Sequence, residues 1–273
     1  QWLIYGCICR NKPKRNKCRY VYWKWNKCTK VAVAVSDRHC GIGSDGLILI
    51  KKSDKADFFM EMYNADGSQG SMCGNGIRCV GKYAYDHGIV DKPQISVETL
   101  GGIKYLDMRI ANGKVKTVKV DMGIPQLTSE LPEKIQIEGR ILEFTGIDVG
   151  NPHAVYYVDD VDCLDLEKIG PAYEMHERFP DRVNSEFIRV IDRTHLQMRV
   201  WERGSGETWA CGTGATASAV ASMMLGLVED TVEVQLIGGN LEITWDRESG
   251  HVFMTGPAVE VFSGEIDLGQ YEK

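Results

Sequence analysis

Hydrophobic and polar positions follow two periods along this chain, and the order in which the periods appear is repeated. Residues 31–35, 47–50 and 58–63 are short apolar or alternating runs and read as strands. The third ends at Asn64-Ala65-Asp66-Gly67, a turn sequence. Residues 77–87 then carry Ile77, Val80, Gly81 and Ala84 on one helical face, and Gly88 stops that helix. Alternating stretches joined by Gly and Pro fill 95–145 and predict strands. A strand over 154–158, a helix over 165–178 and strands over 187–191 and 195–201 follow. Residues 215–225 are apolar nearly all round, the mark of a buried helix, and from Thr231 onward the chain reads as strand and turn. Strands, a Gly-rich turn, a central helix and more strands thus occur twice. That order predicts an α+β protein of two similar lobes, each wrapping sheet around a helix.

The two Gly-rich turns are alike in detail. Met72-Cys73-Gly74-Asn75-Gly76 and Ala210-Cys211-Gly212-Thr213-Gly214 each set a cysteine before Gly-x-Gly at a helix start, 138 positions apart. A helix N-terminus carries partial positive charge and unpaired N–H groups, which favour a thiolate and can hold a carboxylate. Either cysteine alone reads as a small buried hydrophobe beside a helix cap. The matched pair points instead to two proton-transfer groups around one carbon, which is what inverting a stereocentre requires. A second glycine motif, Gly41-Ile42-Gly43-Ser44-Asp45-Gly46, fits G-x-G-x-x-G, but an extended Leu-Ile-Leu-Ile follows it where a dinucleotide loop needs a helix. It reads as a tight turn between strands.

Composition narrows the class. At 273 residues and 43% hydrophobic the chain can bury a sizeable core, and no apolar run approaches the about 18 residues of a membrane span. Residues 1–30 hold nine Lys/Arg and no Asp/Glu, leaving 23 of the 32 basic side chains against all 38 acidic ones in the remainder. That acidic body gives no reason to expect nucleic acid. The nine cysteines are an odd number, and the basic residues near the start follow the apolar ones, the reverse of a secretory leader. A soluble protein of the reducing cytoplasm is the expectation.

The motifs resemble a known family. Asn64 to Ser68 and Met72 to Cys79 resemble the first active-site motif of the diaminopimelate epimerases, and Trp201 to Thr208 with Ala210 to Gly214 the second. Gly150-Asn151-Pro152-His153, Val183 to Phe187, and Gly256-Pro257-Ala258 with Val261, Phe262 and Gly264 match further segments. The resemblance runs from about residue 31 to the end. It implies two pseudo-symmetric lobes of mostly antiparallel sheet: residues 1–116, joined by 263–273 returning to them, and 117–262, with the active site in the cleft between them. It implies a cofactor-free isomerase that interconverts LL- and meso-diaminopimelate. In this scheme Cys73 and Cys211 remove and deliver the α-proton, and His153 and Glu202 set their protonation. Asn64, Asn151, Asn184 and Arg203 would hold the distal amino-acid end. Gly74-Asn75 and Gly212-Thr213 would bind the reacting carboxylate through backbone N–H groups. Alone, His153 after Pro152 reads as a surface histidine in a turn, and Glu202 as a solvated strand residue. The implied partner is the small-molecule substrate, with no membrane and no metal site in the body of the chain. Related enzymes are often homodimers.

Residues 1–30 depart from the family. Its opening His-Gly-x-Gly-Asn-Asp-Phe-like motif, whose first Asn binds substrate, has no counterpart there. The segment carries Cys7, Cys9, Cys18 and Cys28 without the paired C-x2-C spacing of zinc knuckles. A divergent segment, a metal-binding appendage and a reading-register change near Val31 all fit it, the last best. Two alternatives stand beside the epimerase: another racemase of the same fold, and an inactive or metal-binding form. Proline-racemase-like enzymes usually show His where Asn75 stands and lack the Glu202-Arg203-Gly204-Ser205-Gly206-Glu207 run.

Overall fold

The 138-residue spacing of the cysteines extends to the elements around them. A computed structural model describes residues 3–5, 28–264 and 266. The chain divides into two units, Gln1–Val118 with Pro257–Lys273, and Lys119–Gly256. The first unit contains β1 (Leu3–Tyr5), α1 (Cys28–Ser36), β2 (Gly46–Lys51), β3 (Phe58–Asn64), β4 (Gln69–Gly70), α2 (Gly74–Asp86), β5 (Gln94–Thr99), β6 (Gly102–Ala111) and the first half of β7 (Lys114–Gly123). The second contains β8 (Gln126–Leu127), β9 (Glu133–Ile137), β10 (Arg140–Asp148), β11 (Pro152–Tyr157), α3 (Leu166–Glu174), β12 (Asn184–Asp192), β13 (His195–Glu202), β14 (Gly206–Thr208), α4 (Gly212–Met224), β15 (Thr231–Leu236), β16 (Gly239–Trp245) and most of β17 (Val252–Pro257).

Strand pairing repeats element for element. In the first unit β1 runs parallel to β2, β2 antiparallel to β3, β3 antiparallel to β4 and parallel to β5, and β5 antiparallel to β6. In the second, β11, β12, β13, β14, β15 and β16 pair in the same senses and order. Each parallel step is bridged by a helix, as parallel neighbours require: α1 and α2 in one unit, α3 and α4 in the other. The second unit adds β8 and β9 on β10, and β10 antiparallel to β11.

The two central helices are buried for different reasons. Helix α2 buries one face, Ile77, Val80, Gly81 and Ala84. Gly81 permits close packing, because a Cβ there would lie 2.9 Å from Leu106 Cδ2. Helix α4 is buried on nearly every side and is built of Ala, Ser, Thr and Gly. Two of its buried hydroxyls are satisfied within the helix, Thr216 donating to the Gly212 carbonyl and Ser222 to that of Ser218, both at 2.8 Å, and Ser218 donates to the Met198 sulfur at 3.3 Å. Around α3 an aromatic cluster of Phe144, Tyr156 and Phe187 packs with Trp201, Tyr173 and Phe179.

Several expectations need correction. Residues 31–35 belong to helix α1. Val31, Ala32, Val35 and Ser36 form its buried face, and the β-branched valines of so short a run disguise that spacing. The Gly41–Gly46 segment therefore links a helix to a strand; two strands do not flank it. Helix α3 is shorter than 165–178, with Gly170-Pro171 inside it. The Cys-rich leader, apart from the backbone of Leu3–Tyr5 and residues 28–30, lies outside the described residues, as does most of 263–273. Among the described residues no helix is long and apolar enough to cross a membrane.

Candidate active site

Each central helix starts on a cysteine that acts as its N-cap. Cys73 is extended (φ −134°, ψ 118°) and its Sγ accepts the Gly76 N–H at 3.3 Å. Cys211 is extended too (φ −120°, ψ 111°), and its Sγ accepts the Gly214 N–H at 3.3 Å. Sulfur here takes the place of the usual Ser, Thr, Asp or Asn oxygen. The N–H groups of Gly74-Asn75 and of Gly212-Thr213 open the two helices, where backbone donors have no partner within the helix.

The second-unit start is a network of buried acids. The Thr213 hydroxyl lies 3.4 Å from the Cys211 Sγ and 3.4 Å from the Asn151 Nδ2. The Asn151 Oδ1 lies 3.0 Å from His153 Nε2, and His153 Nδ1 lies 2.7 Å from Glu186 Oε1. His153 sits in strand β11, not in a surface turn, and is 1% exposed. The carboxylate of Glu186 comes from β12, the strand paired with β11. Glu202, the last residue of β13, is half-buried and takes a short hydrogen bond from the Thr208 hydroxyl. Burial raises the Glu202 carboxyl above its ordinary value, and Glu186 adds to this, while Thr208, His153 and the Cys211 thiol oppose it. Burial likewise drives the Cys211 thiol well above its ordinary value. The charges of Glu202 and Glu186 reinforce this, and Thr213 and the Gly214 N–H oppose it.

The start at Cys73 has a cation instead. Arg78, one turn into α2 and 7% exposed, donates to the Gly74 carbonyl at 3.1 Å, the Asn75 Oδ1 at 3.0 Å and the Pro257 carbonyl at 3.3 Å. Burial lowers its guanidinium from the ordinary value, and the charges of Cys79 and Cys73 pull the other way. The Arg78 guanidinium and the Cys73 side chain are thus close enough for their charges to interact.

The remaining predicted residues make the following contacts. Asn64 ends β3 and donates to the Ser68 hydroxyl at 3.0 Å, inside its own turn. Asn184 is 4% exposed; its amide donates to the Pro152 carbonyl at 2.9 Å and accepts the Arg203 N–H at 3.0 Å. The Arg203 guanidinium is exposed and donates to the Asp181 carbonyl at 3.0 Å. Cys211, Thr213, Asn151, His153 and Glu202 are thus one cluster, with Asn184 and Arg203 joined by the β11–β12–β13 pairing. Cys73, Gly74 and Asn75 form another, and the Asn64 side chain bonds within its own turn.

Sequence reasoning passed over Arg78 and Glu186, although both lie inside motifs it used. A signal existed for each. Arg78 interrupts the apolar face beside Ile77, and Glu186 is an acid directly before the apolar pair Phe187-Ile188. Either charge is out of place on a buried face unless it is paired.

Known proteins of this kind are numerous. The sequence profile described as diaminopimelate epimerase matches residues 24–128 and 145–261. The diaminopimelate epimerase of Acetivibrio thermocellus is 55% identical over 253 residues, 89% of this chain and 90% of that protein. That of Methanococcus maripaludis strain C5 is 52% identical over 250 residues, covering 88% and 90%. Among solved structures, a probable proline racemase from Agrobacterium radiobacter K84 is 15% identical with a TM-score of 0.70, covering 90% of this chain and 83% of that one. A PhzF-family phenazine biosynthesis protein from Bacillus anthracis is 16% identical with a TM-score of 0.64, covering 86% of each chain. The last two likenesses establish a shared α+β fold, and the extent and identity of the first three establish more: this chain belongs to the diaminopimelate epimerase family.

Proposed function

We propose that this chain is an isomerase interconverting LL- and meso-diaminopimelate by two-base proton transfer. The observation that carries the mechanism is the pair of thiol N-caps, each with its Sγ on the N–H of the third residue beyond at 3.3 Å. One cysteine thiolate takes the α-proton, leaving a carbanion whose charge spreads onto the adjacent carboxylate. The other thiol delivers its proton to the opposite face, so configuration inverts and thiol and thiolate exchange identities. Backbone N–H groups of Gly74-Asn75 and Gly212-Thr213 hold the reacting carboxylate where charge develops. Glu202, with the His153–Glu186 pair linked through Asn151 and Thr213, returns protons between turnovers. Asn64, Asn151, Asn184 and Arg203 hold the distal end, Arg203 facing its carboxylate.

This mechanism uses side chains and backbone only and calls for no cofactor. By this reading the enzyme serves lysine and peptidoglycan-precursor synthesis in the cytoplasm, and a homodimer is the form to look for by size exclusion. The test is incubation with LL-diaminopimelate in D2O under reducing conditions without added cofactor. Deuterium at one α-carbon with conversion to the meso isomer is the expected result. Absence of both would refute the reading.

A further inference from the structure

Glu174, the last residue of helix α3, is a buried carboxylate outside the thiol networks. It is 6% exposed, and both its oxygens are used. Oε2 accepts the Trp201 indole N–H at 2.7 Å, and Oε1 accepts the Gly204 N–H at 2.9 Å and the Arg182 guanidinium at 3.3 Å. These contacts bracket Glu202 and Arg203. Trp201 and Gly204 flank the pair in sequence. Arg182 follows Asp181, whose carbonyl holds the Arg203 guanidinium. Arg182 is also one of three non-glycine residues at positive φ (61°) among the described residues, a conformation that needs support.

The internal repeat shows that this clamp is not needed to make the turn. The counterpart turn, 138 positions earlier, follows Asn64. Both turns close the same backbone bond, Gly67 N–H to the Asn64 carbonyl at 2.9 Å and Ser205 N–H to the Glu202 carbonyl at 3.0 Å. The Asn64 turn is finished by its own side chains, Asp66 accepting the Ser68 N–H at 2.8 Å. Its outside tie on the residue equivalent to Arg203 is a backbone one, the Ala65 N–H to the Asp45 carbonyl at 3.1 Å, whereas the Arg203 turn is tied by a buried side chain of α3. Gly170 in that helix makes room for the tie, because a Cβ there would lie 2.2 Å from the Trp201 ring.

We propose that Glu174 is a positioning residue that aims Arg203 at the distal carboxylate of the substrate. The proposal rests on the epimerase reading and deepens it. The reacting end is gripped at the two helix starts; the distal end is gripped by a turn whose direction a buried carboxylate sets. Glu174→Gln keeps the shape but keeps only one acceptor oxygen, so its amide N–H must face the Trp201 or the Gly204 donor.

The test compares wild type, Glu174→Gln, Arg203→Ala and the double variant on LL-diaminopimelate. KM is expected to rise about tenfold in Glu174→Gln with kcat within about twofold. The double variant is expected to match Arg203→Ala alone, since residues acting as one unit do not add. A folded Glu174→Gln with wild-type KM overturns the proposal. So does a KM penalty that adds in full to that of Arg203→Ala, or a fall confined to kcat. If the glutamine variant does not fold, Arg182→Ala on the surface replaces it: a KM raised severalfold supports the proposal and a wild-type KM overturns it. A wild type that neither exchanges nor converts LL-diaminopimelate refutes the substrate reading itself, and this proposal falls with it; an active wild type with a silent Glu174 variant refutes this proposal alone.

Discussion

The helix starts at Cys73 and Cys211 share their backbone and differ in their charge. Both cysteines cap a helix in the extended conformation and hold the same N–H bond. Even the support of the first carbonyl is conserved in place and changed in kind. Arg78 donates to the Gly74 carbonyl at 3.1 Å, and its counterpart Thr216 donates to that of Gly212 at 2.8 Å. At Cys73 the nearby charge is a guanidinium. At Cys211 it is two carboxylates, one of them hydrogen-bonded to a buried histidine. A duplicated scaffold thus sets two thiols in different charge surroundings, and at Cys211 burial and the carboxylates favour the protonated thiol. A two-base reaction needs one thiol and one thiolate before substrate arrives.

The largest effect tests whether both thiols are required. Replacing either Cys73 or Cys211 with alanine should cost at least about a thousandfold in racemisation, because each acts in proton transfer at carbon. Full turnover in either variant breaks the pairing.

The third glycine of each motif distinguishes the starts next. A Cβ on Gly214 would lie 2.7 Å from the Glu186 Oε1 and 3.2 Å from the Cys211 Sγ, whereas one on Gly76 would lie 2.4 Å from the Ile48 Cδ1. Gly214→Ala should lower kcat about a hundredfold by displacing the acid network. Gly76→Ala should act mainly on stability, by about 1–3 kcal/mol of overpacking. Kinetics and thermal melts on both variants check the contrast.

Alkylation reads the bias directly. Cys73 is half-buried and within the electrostatic reach of Arg78, while Cys211 is 6% exposed among carboxylates. Iodoacetamide should label Cys73 about ten times faster at neutral pH, since the thiolate is the nucleophile. Equal rates by peptide mass spectrometry would erase the asymmetry.

The smallest effect sharpens the source of the bias. Glu202→Gln should advance Cys211 alkylation a few-fold at fixed pH, because an anion that opposes the thiolate is gone. Cys73 should not change. The same variant has a stability signature. The folded Glu202 carboxyl titrates above its ordinary 4.5, so the native state keeps a proton that the unfolded chain releases. Native stability therefore falls as pH rises from that ordinary value through the raised one. Urea melts of the glutamine variant across that range should lack this fall.

Local pattern was enough for much of this molecule. The one-sided face of α2, the all-round apolar α4 and the alternating strands declare themselves through period alone. The paired Cys-Gly-x-Gly turns were legible because a cap is a property of a few adjacent residues. Where the signal was short, local reading failed. Helix α1 passed for a strand because valines suit both, and α3 ended early at a place no cap residue marks. His153 reads as a surface residue beside Pro152, and nothing local says that strand β12 lays Glu186 against it.

The amino-acid order by itself determined the repeat, the α+β class, the two thiols at helix starts and the family to which the chain belongs. These follow from periodicity and from motifs contiguous in sequence. Tertiary structure alone decided the charge around each thiol and the tie from α3 to the Arg203 turn. Those depend on burial and on partners 27 to 33 positions apart, such as Glu174 with Trp201 and His153 with Glu186. A side chain's charge acts through distance and dielectric, and neither exists until the strands have paired.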